Sequence, residues 1–126
     1  MTQGQILVVD DEKQIGQLVQ RSLTKAGHQV TYRDQPEEAL RLLKDEAFDV
    51  VVTDLRMPGI DGLEFLTRSK KIRPDCEVLL MTGYATVETA LEALKRGAID
   101  YITKPFSVER DLVPVIEKIL NAPSES

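Results

Sequence analysis

Five short apolar runs, alternating with longer amphipathic stretches, place this 126-residue sequence in the α/β class with one parallel sheet. Three observations carry that expectation. The runs Ile6–Val9, Val50–Val52 and Val78–Met81 are continuously apolar, as strands covered by helices on both faces must be. Each run is followed by a helical pattern of apolar residues. The remaining two runs, around Val30–Tyr32 and Tyr101–Ile102, alternate or carry polar residues, which assigns them to the edges. The simplest arrangement is a doubly wound five-stranded sheet of order 2-1-3-4-5 with five helices. Residues 1–121 suit one domain, and 122–126 form a polar tail that reads as the start of a linker.

The elements follow in order. "QILVV" is the first strand and stops at Asp10. Ile15, Leu18, Val19, Ser22, Leu23 and Ala26 keep helical spacing, and Gly27 is the stop. "HQVTYR" is a half-exposed second strand with Val30 and Tyr32 on one side. Pro36 with Glu37 and Glu38 opens a second helix that turns Ala39, Leu40 and Leu43 inward. "FDVVVT" leads to Asp54. After the Pro58-Gly59 turn, Leu63 and Leu66 belong to a third helix. "CEVLLM" ends at Thr82, and Val87, Ala90, Leu91 and Leu94 make a fourth helix closed by Gly97. "AIDYIT" ends at Lys104. Ser107 is placed to cap a last helix through Ile116, Ile119 and Leu120. Pro114 falls inside that last pattern, so the helix either starts late, near Asp111, or bends.

Composition removes several function classes. Lys and Arg number 16 against 21 Asp and Glu, a formal net charge of −5, which is unsuited to gripping a phosphate backbone directly. With one cysteine (Cys76) and one histidine (His28), neither an internal disulfide nor a thiol or imidazole metal cluster is expected. Cys76 reads as packing before the fourth strand, and His28 as a surface or edge-strand residue outside the chemistry. "MTQGQILVVDDE" resembles neither a signal peptide nor a membrane span, so a cytoplasmic location and no membrane partner are expected.

The strands of such a sheet present ligands at their carboxyl ends, a rule known from doubly wound sheets of this same order. Here those ends carry Asp10 and Asp11, Asp54, Thr82 and Lys104. Each has an ordinary structural reading. Asp11 with Gln14 makes a variant capping box, Asp54 an Asx-turn, Thr82 a turn hydroxyl, and Lys104 a snorkelling lysine. Together they ask for more. Two like charges ~4 Å apart repel by about 4 kcal/mol at an effective dielectric of 20, and stability alone gives no reason to gather them. A divalent cation and an ammonium group relieve that repulsion. With only oxygen ligands nearby, Mg2+ suits the site better than zinc. A carboxylate there can act as a nucleophile toward phosphorus, and no Gly-rich phosphate loop accompanies it.

The segments "ILVVDDE", "VVTDLRMPGIDG", "MTGYAT" and "AIDYITKPF" resemble the receiver domain of bacterial two-component response regulators, closest to the nitrogen-regulation, NtrC-like type. The resemblance implies a flavodoxin-like fold and a phosphorylation-activated signalling switch. It implies that Asp54 is the phospho-acceptor, served by a sensor histidine kinase. It further implies Mg2+ on Asp10, Asp11, Asp54 and the backbone carbonyl of Arg56. Thr82 and Lys104 would meet the phosphoryl group, and Tyr101 would be the aromatic switch residue. The readout surface would be the fourth helix, fifth strand and last helix. It would address an output module, such as an ATPase transcription activator, or a second receiver as a homodimer. Slow self-dephosphorylation is implied, not turnover of an external substrate. Arg56 and Tyr84 flank the site, Met57 with Pro58 shapes the loop after Asp54, and the Lys104–Pro105 peptide is expected to be cis. Two other classes fit less well. An aspartyl-phosphate phosphatase would use Asp10 and Glu12 and leave Asp54 unexplained. A flavin electron carrier would need Ser, Thr and Gly where this chain has "DDEKQ".

Overall fold

The computed structural model describes residues 3–57, 59–83, 87–104 and 107–122. The chain alternates β1 (Gln5–Val9), α1 (Lys13–Lys25), β2 (Gln29–Arg33), α2 (Pro36–Asp45), β3 (Val50–Asp54), α3 (Gly62–Ile72), β4 (Glu77–Thr82), α4 (Val87–Lys95) and β5 (Asp100–Thr103). A π-helical turn (Val108–Leu112) then leads into α5 (Val113–Asn121). The strands form one parallel sheet in the order β2-β1-β3-β4-β5. The sheet order and its buried centre match the expectation from the apolar runs, and β2 and β5 lie at the edges.

Two hydrophobic clusters sandwich the sheet. Leu7, Val9, Val51, Val78 and Leu80 pack on α2, α3 and α4 through Leu43, Phe65, Leu66 and Ala93. Ile6, Val8, Val50, Val52, Leu79 and Met81 pack on α1 and α5 through Val19, Leu23, Leu112 and Ile116. Alternation along each strand sends odd and even neighbours to opposite faces. Burying these side chains supplies most of the drive to fold.

Local signals behave as their chemistry dictates. Gly27 and Gly97 take φ +104° and +106° at the ends of α1 and α4, a conformation that L side chains rarely adopt. Pro36 occupies the first turn of α2, where a missing N–H costs nothing. Asp61 caps α3 by accepting from the Glu64 amide at 2.8 Å. Ser107 Oγ accepts from the Arg110 N–H, and Asp111 accepts the Ser107 N–H in return. The wide turn Val108–Leu112 then lets α5 begin at Val113, so Pro114 falls in its first turn. The late start thus resolves the Pro114 question, two residues beyond Asp111.

The structure orients two helix faces and corrects one expectation. Leu18 is 47% exposed, because the buried stripe of α1 runs through Gly16, Val19 and Leu23. In α4 the inner face is made of Ala90 and Ala93, which turns Leu91 and Leu94 to the surface. His28 is not a surface residue. Its ring is buried, with Nδ1 accepting the Gly4 N–H at 3.0 Å and Nε2 lying 3.2 Å from Glu117 Oε1 on α5. Cys76 packs as expected, and burial pushes its thiol up to about 12.

Gly62 sits where α3 leaves the loop after Asp54, and its N–H donates to the Leu55 carbonyl at 2.7 Å. A Cβ there would lie 2.5 Å from Leu55 Cα and 2.7 Å from the Asp54 carbonyl oxygen. Backbone atoms cannot swing aside as a flexible side chain can. Gly62→Ala is therefore expected to destabilise the fold by about 2–3 kcal/mol, at the upper end for overpacking. A urea midpoint within error of the wild type would refute this close approach.

Candidate functional site

Strand alternation explains which side chains meet. Asp54 continues the face of Val50 and Val52, Asp10 that of Ile6 and Val8, and Lys104 that of Ile102, which packs on the same cluster. All three emerge at the carboxyl ends of their strands. Lys104 Nζ donates to Asp54 Oδ2 at 2.9 Å and to Asp10 Oδ2 at 3.2 Å. Thr82 continues the opposite face, that of Val78 and Leu80, and is buried. Tyr101, 37% exposed on the edge strand, likewise points away from the Ile102 face.

The carboxylates are tightly engaged. Asp10 is fully buried, and its Oδ1 accepts the Glu12 N–H at 2.9 Å. Asp54 Oδ1 accepts the Arg56 N–H at 3.2 Å. Burial pushes the Asp10 carboxyl above the usual carboxylate range; the Glu12 amide and Lys104 oppose that rise, and the Asp54 charge adds to it. Burial also works against the charge on Lys104. The hydrogen bond to Asp54 and the charges of Asp10 and Asp54 outweigh it, so the ammonium is held above the ordinary lysine value.

One member of the site is absent from the sequence-based set. Among the described residues, the carboxylates whose oxygens approach within 4.8 Å of one another are Asp10, Glu12 and Asp54. Glu12 Oε1 also lies 3.7 Å from Lys104 Nζ. The available signal was the two-residue spacing: Asp10 captures the Glu12 amide and folds that residue back over the site. Asp11 is exposed, and α1 begins after Glu12 with no side-chain cap, so the Asp11–Gln14 capping box does not form. Instead Asp11 lines an open cleft of about 320 Å3 with Leu55, Arg56, Met57 and Asp61. The Lys104–Pro105 peptide, Pro58 and Tyr84 lie outside the described residues.

The donor set fits a hard divalent cation. Among the described residues, three clustered carboxylates face one ammonium, a set of oxygen ligands with net negative charge. No described helix is long and apolar enough to cross a membrane.

Comparison with known proteins agrees with this geometry. The family model for the response regulator receiver domain matches residues 6–117. The DNA-binding transcriptional regulator NtrC of Azospirillum brasilense is 37% identical over 122 residues, covering 97% of this chain and 25% of that protein. The crystal structure of NtrX from Brucella abortus superposes with a TM-score of 0.87 at 38% identity, covering 94% of this chain and 28% of that one. A response regulator from Burkholderia pseudomallei, solved with a phosphorylated aspartic acid, a calcium ion and citrate, gives a TM-score of 0.82 at 31% identity. That match covers 97% of this chain and 68% of the other. The chain thus spans about a quarter of the NtrC and NtrX chains. Fold, strand-end chemistry and sequence similarity converge: the chain belongs to the response regulator receiver domain family, of the type found in NtrC-like transcriptional regulators.

Proposed function

We propose that Asp54 accepts a phosphoryl group from a phosphohistidine of a sensor kinase, and that the resulting acyl phosphate switches the surface of the domain. The carboxylate oxygen forms the new O–P bond, the N–P bond breaks, and its electron pair returns to the imidazole. The observation that carries this reading is the Lys104 ammonium 2.9 Å from Asp54 Oδ2, braced by Asp10. Phosphoryl transfer needs charge neutralisation and positioning more than acid–base chemistry. Asp10, Asp11, Asp54 and the Arg56 carbonyl would hold Mg2+, with Glu12 beside them. The ion, when bound, would neutralise charge on the transferred oxygens. The Burkholderia relative, which carries a phosphorylated aspartic acid and a calcium ion, supports this assignment.

Asp10 suits the alternative phosphatase role poorly. That role would pair Asp10 with Glu12 and leave Asp54, 2.9 Å from the Lys104 ammonium, without a task. Residues 1–121 would act as the receiver and 122–126 as the start of a linker, in a cytoplasmic protein. Similarity to NtrC supports an output module that regulates transcription; a second receiver is the other partner. Thr82 and Tyr101 would relay the change to α4, β5 and α5, where exposed Leu91, Leu94, Ile99 and Tyr101 supply apolar contact area.

Incubation with magnesium and a small acyl phosphate should add one phosphoryl group by intact mass. Beryllofluoride should move amide NMR signals of α4 and Tyr101 as well as those around Asp54. No mass change would reject the acceptor chemistry. Shifts confined to the site loops would reject the readout surface.

A further inference from the structure

We infer that Tyr32 is a positioning residue for the proposed magnesium site, acting through the Asp10–Asp11 peptide. This rests on the reading of the acidic cluster given above. Tyr32 stands on the edge strand β2, in register with Val8. Its hydroxyl donates to the backbone carbonyl of Asp10 at 2.6 Å. The ring lies over Gly16 of α1, where any added Cβ would overlap it. Gly16 in turn donates its N–H to the Glu12 carbonyl at 3.0 Å. The phenol is thus braced between a strand and a helix, and its tip holds one particular carbonyl.

That carbonyl belongs to the peptide unit leading into Asp11, which gives the contact its importance. Among the described residues, the Asp11 carboxylate makes no hydrogen bond of its own, so its place in the cleft with Arg56 and Asp61 is set by its backbone. The Asp10 N–H is held by the Arg33 carbonyl at 3.3 Å, and the Asp10 carboxylate by Glu12 and Lys104. Tyr32 supplies the remaining restraint, on the peptide that aims Asp11. Partners one step removed from a ligand commonly govern metal affinity in this way. The ordinary alternative is that the ring only fills space beside Val30 and Ile15.

Tyr32→Phe separates the two, since it keeps the ring over Gly16 and removes only the hydroxyl. Magnesium titrations of wild type and variant, read by the amide shifts of residues 10–12, give the affinity of the folded protein. The variant is expected to bind magnesium about tenfold more weakly, the low end for such partners. At saturating magnesium it should be phosphorylated by acyl phosphate at the wild-type rate. A space-filling role alone would leave both the unfolding midpoint and the magnesium affinity of the folded state unchanged. Equal affinity in the two proteins overturns the inference, as does a rate that stays low at saturating metal. Absence of saturable magnesium binding in the wild type would overturn the underlying site as well.

Discussion

Asp54→Asn is expected to abolish acyl-phosphate-dependent mass gain in the presence of magnesium, while the protein stays folded. The amide retains an oxygen to accept the Arg56 N–H, which the carboxylate meets at 3.2 Å. It is far less nucleophilic toward phosphorus, so the reaction loses its acceptor and not its scaffold. Lys104 would keep Asp10, 3.2 Å away, as a partner. Removing one of two neighbouring carboxylates also relieves repulsion, so no large loss of stability should accompany the change. Intact mass and a urea titration on the same sample check both halves. Phosphorylation of the variant to the wild-type extent would move the acceptor elsewhere.

Lys104→Met should cost the most stability of any single change at the site. It strands the buried Asp10 and Asp54 carboxylates, which share this ammonium at 3.2 and 2.9 Å. Removing one partner of a buried pair costs about 3–5 kcal/mol. The Lys104 side chain is 15% exposed and Glu12 is open to water, so about 2–3 kcal/mol is the reasonable figure here. The pH dependence has a definite sign. The Asp10 carboxyl already titrates above its ordinary value, with burial as the largest cause and Lys104 among the opposing ones. Without the lysine it rises further. A folded-state pKa raised above the unfolded one favours folding fully below the unfolded value and loses that benefit as pH rises through the folded value. The variant's deficit should therefore be largest near neutral pH and shrink as pH falls toward the ordinary carboxylate range. Urea unfolding across that window checks it, and a deficit independent of pH would discard this account.

Much of this fold is legible in the sequence. Continuous apolar runs identify the three central strands, and polar or alternating runs identify the edges. Asp10, Asp54 and Lys104 stand out because each lies beyond an apolar run on a shared parity, so alternation aims them together. The features that escape are those that periodicity does not carry. Glu12 reaches the site only because Asp10 captures its amide. The outward leucines of α4 share a helical period with the inward alanines, and spacing alone does not say which faces the sheet. His28 reads as peripheral along the chain, yet its ring lies between the Gly4 amide and Glu117, partners 24 and 89 residues away. The π-helical turn that moves Pro114 into a first turn accompanies the Ser107–Asp111 exchange, a local cap that hydrophobic periodicity does not register.

The two hydrophobic clusters have a mechanical corollary. Below the strand tips the sheet is a wall one chain thick, with Asp10, Asp54 and Lys104 belonging to one side and Thr82 and Tyr101 to the other. The two sides meet over the top of that wall, where Lys104 follows β5 and its N–H donates to the Thr82 carbonyl at 2.8 Å. Side chains packed beneath α3 and α4 lie across the sheet from the acidic groups. The sheet thus separates the acidic groups from α3 and α4, whereas α5 shares their side.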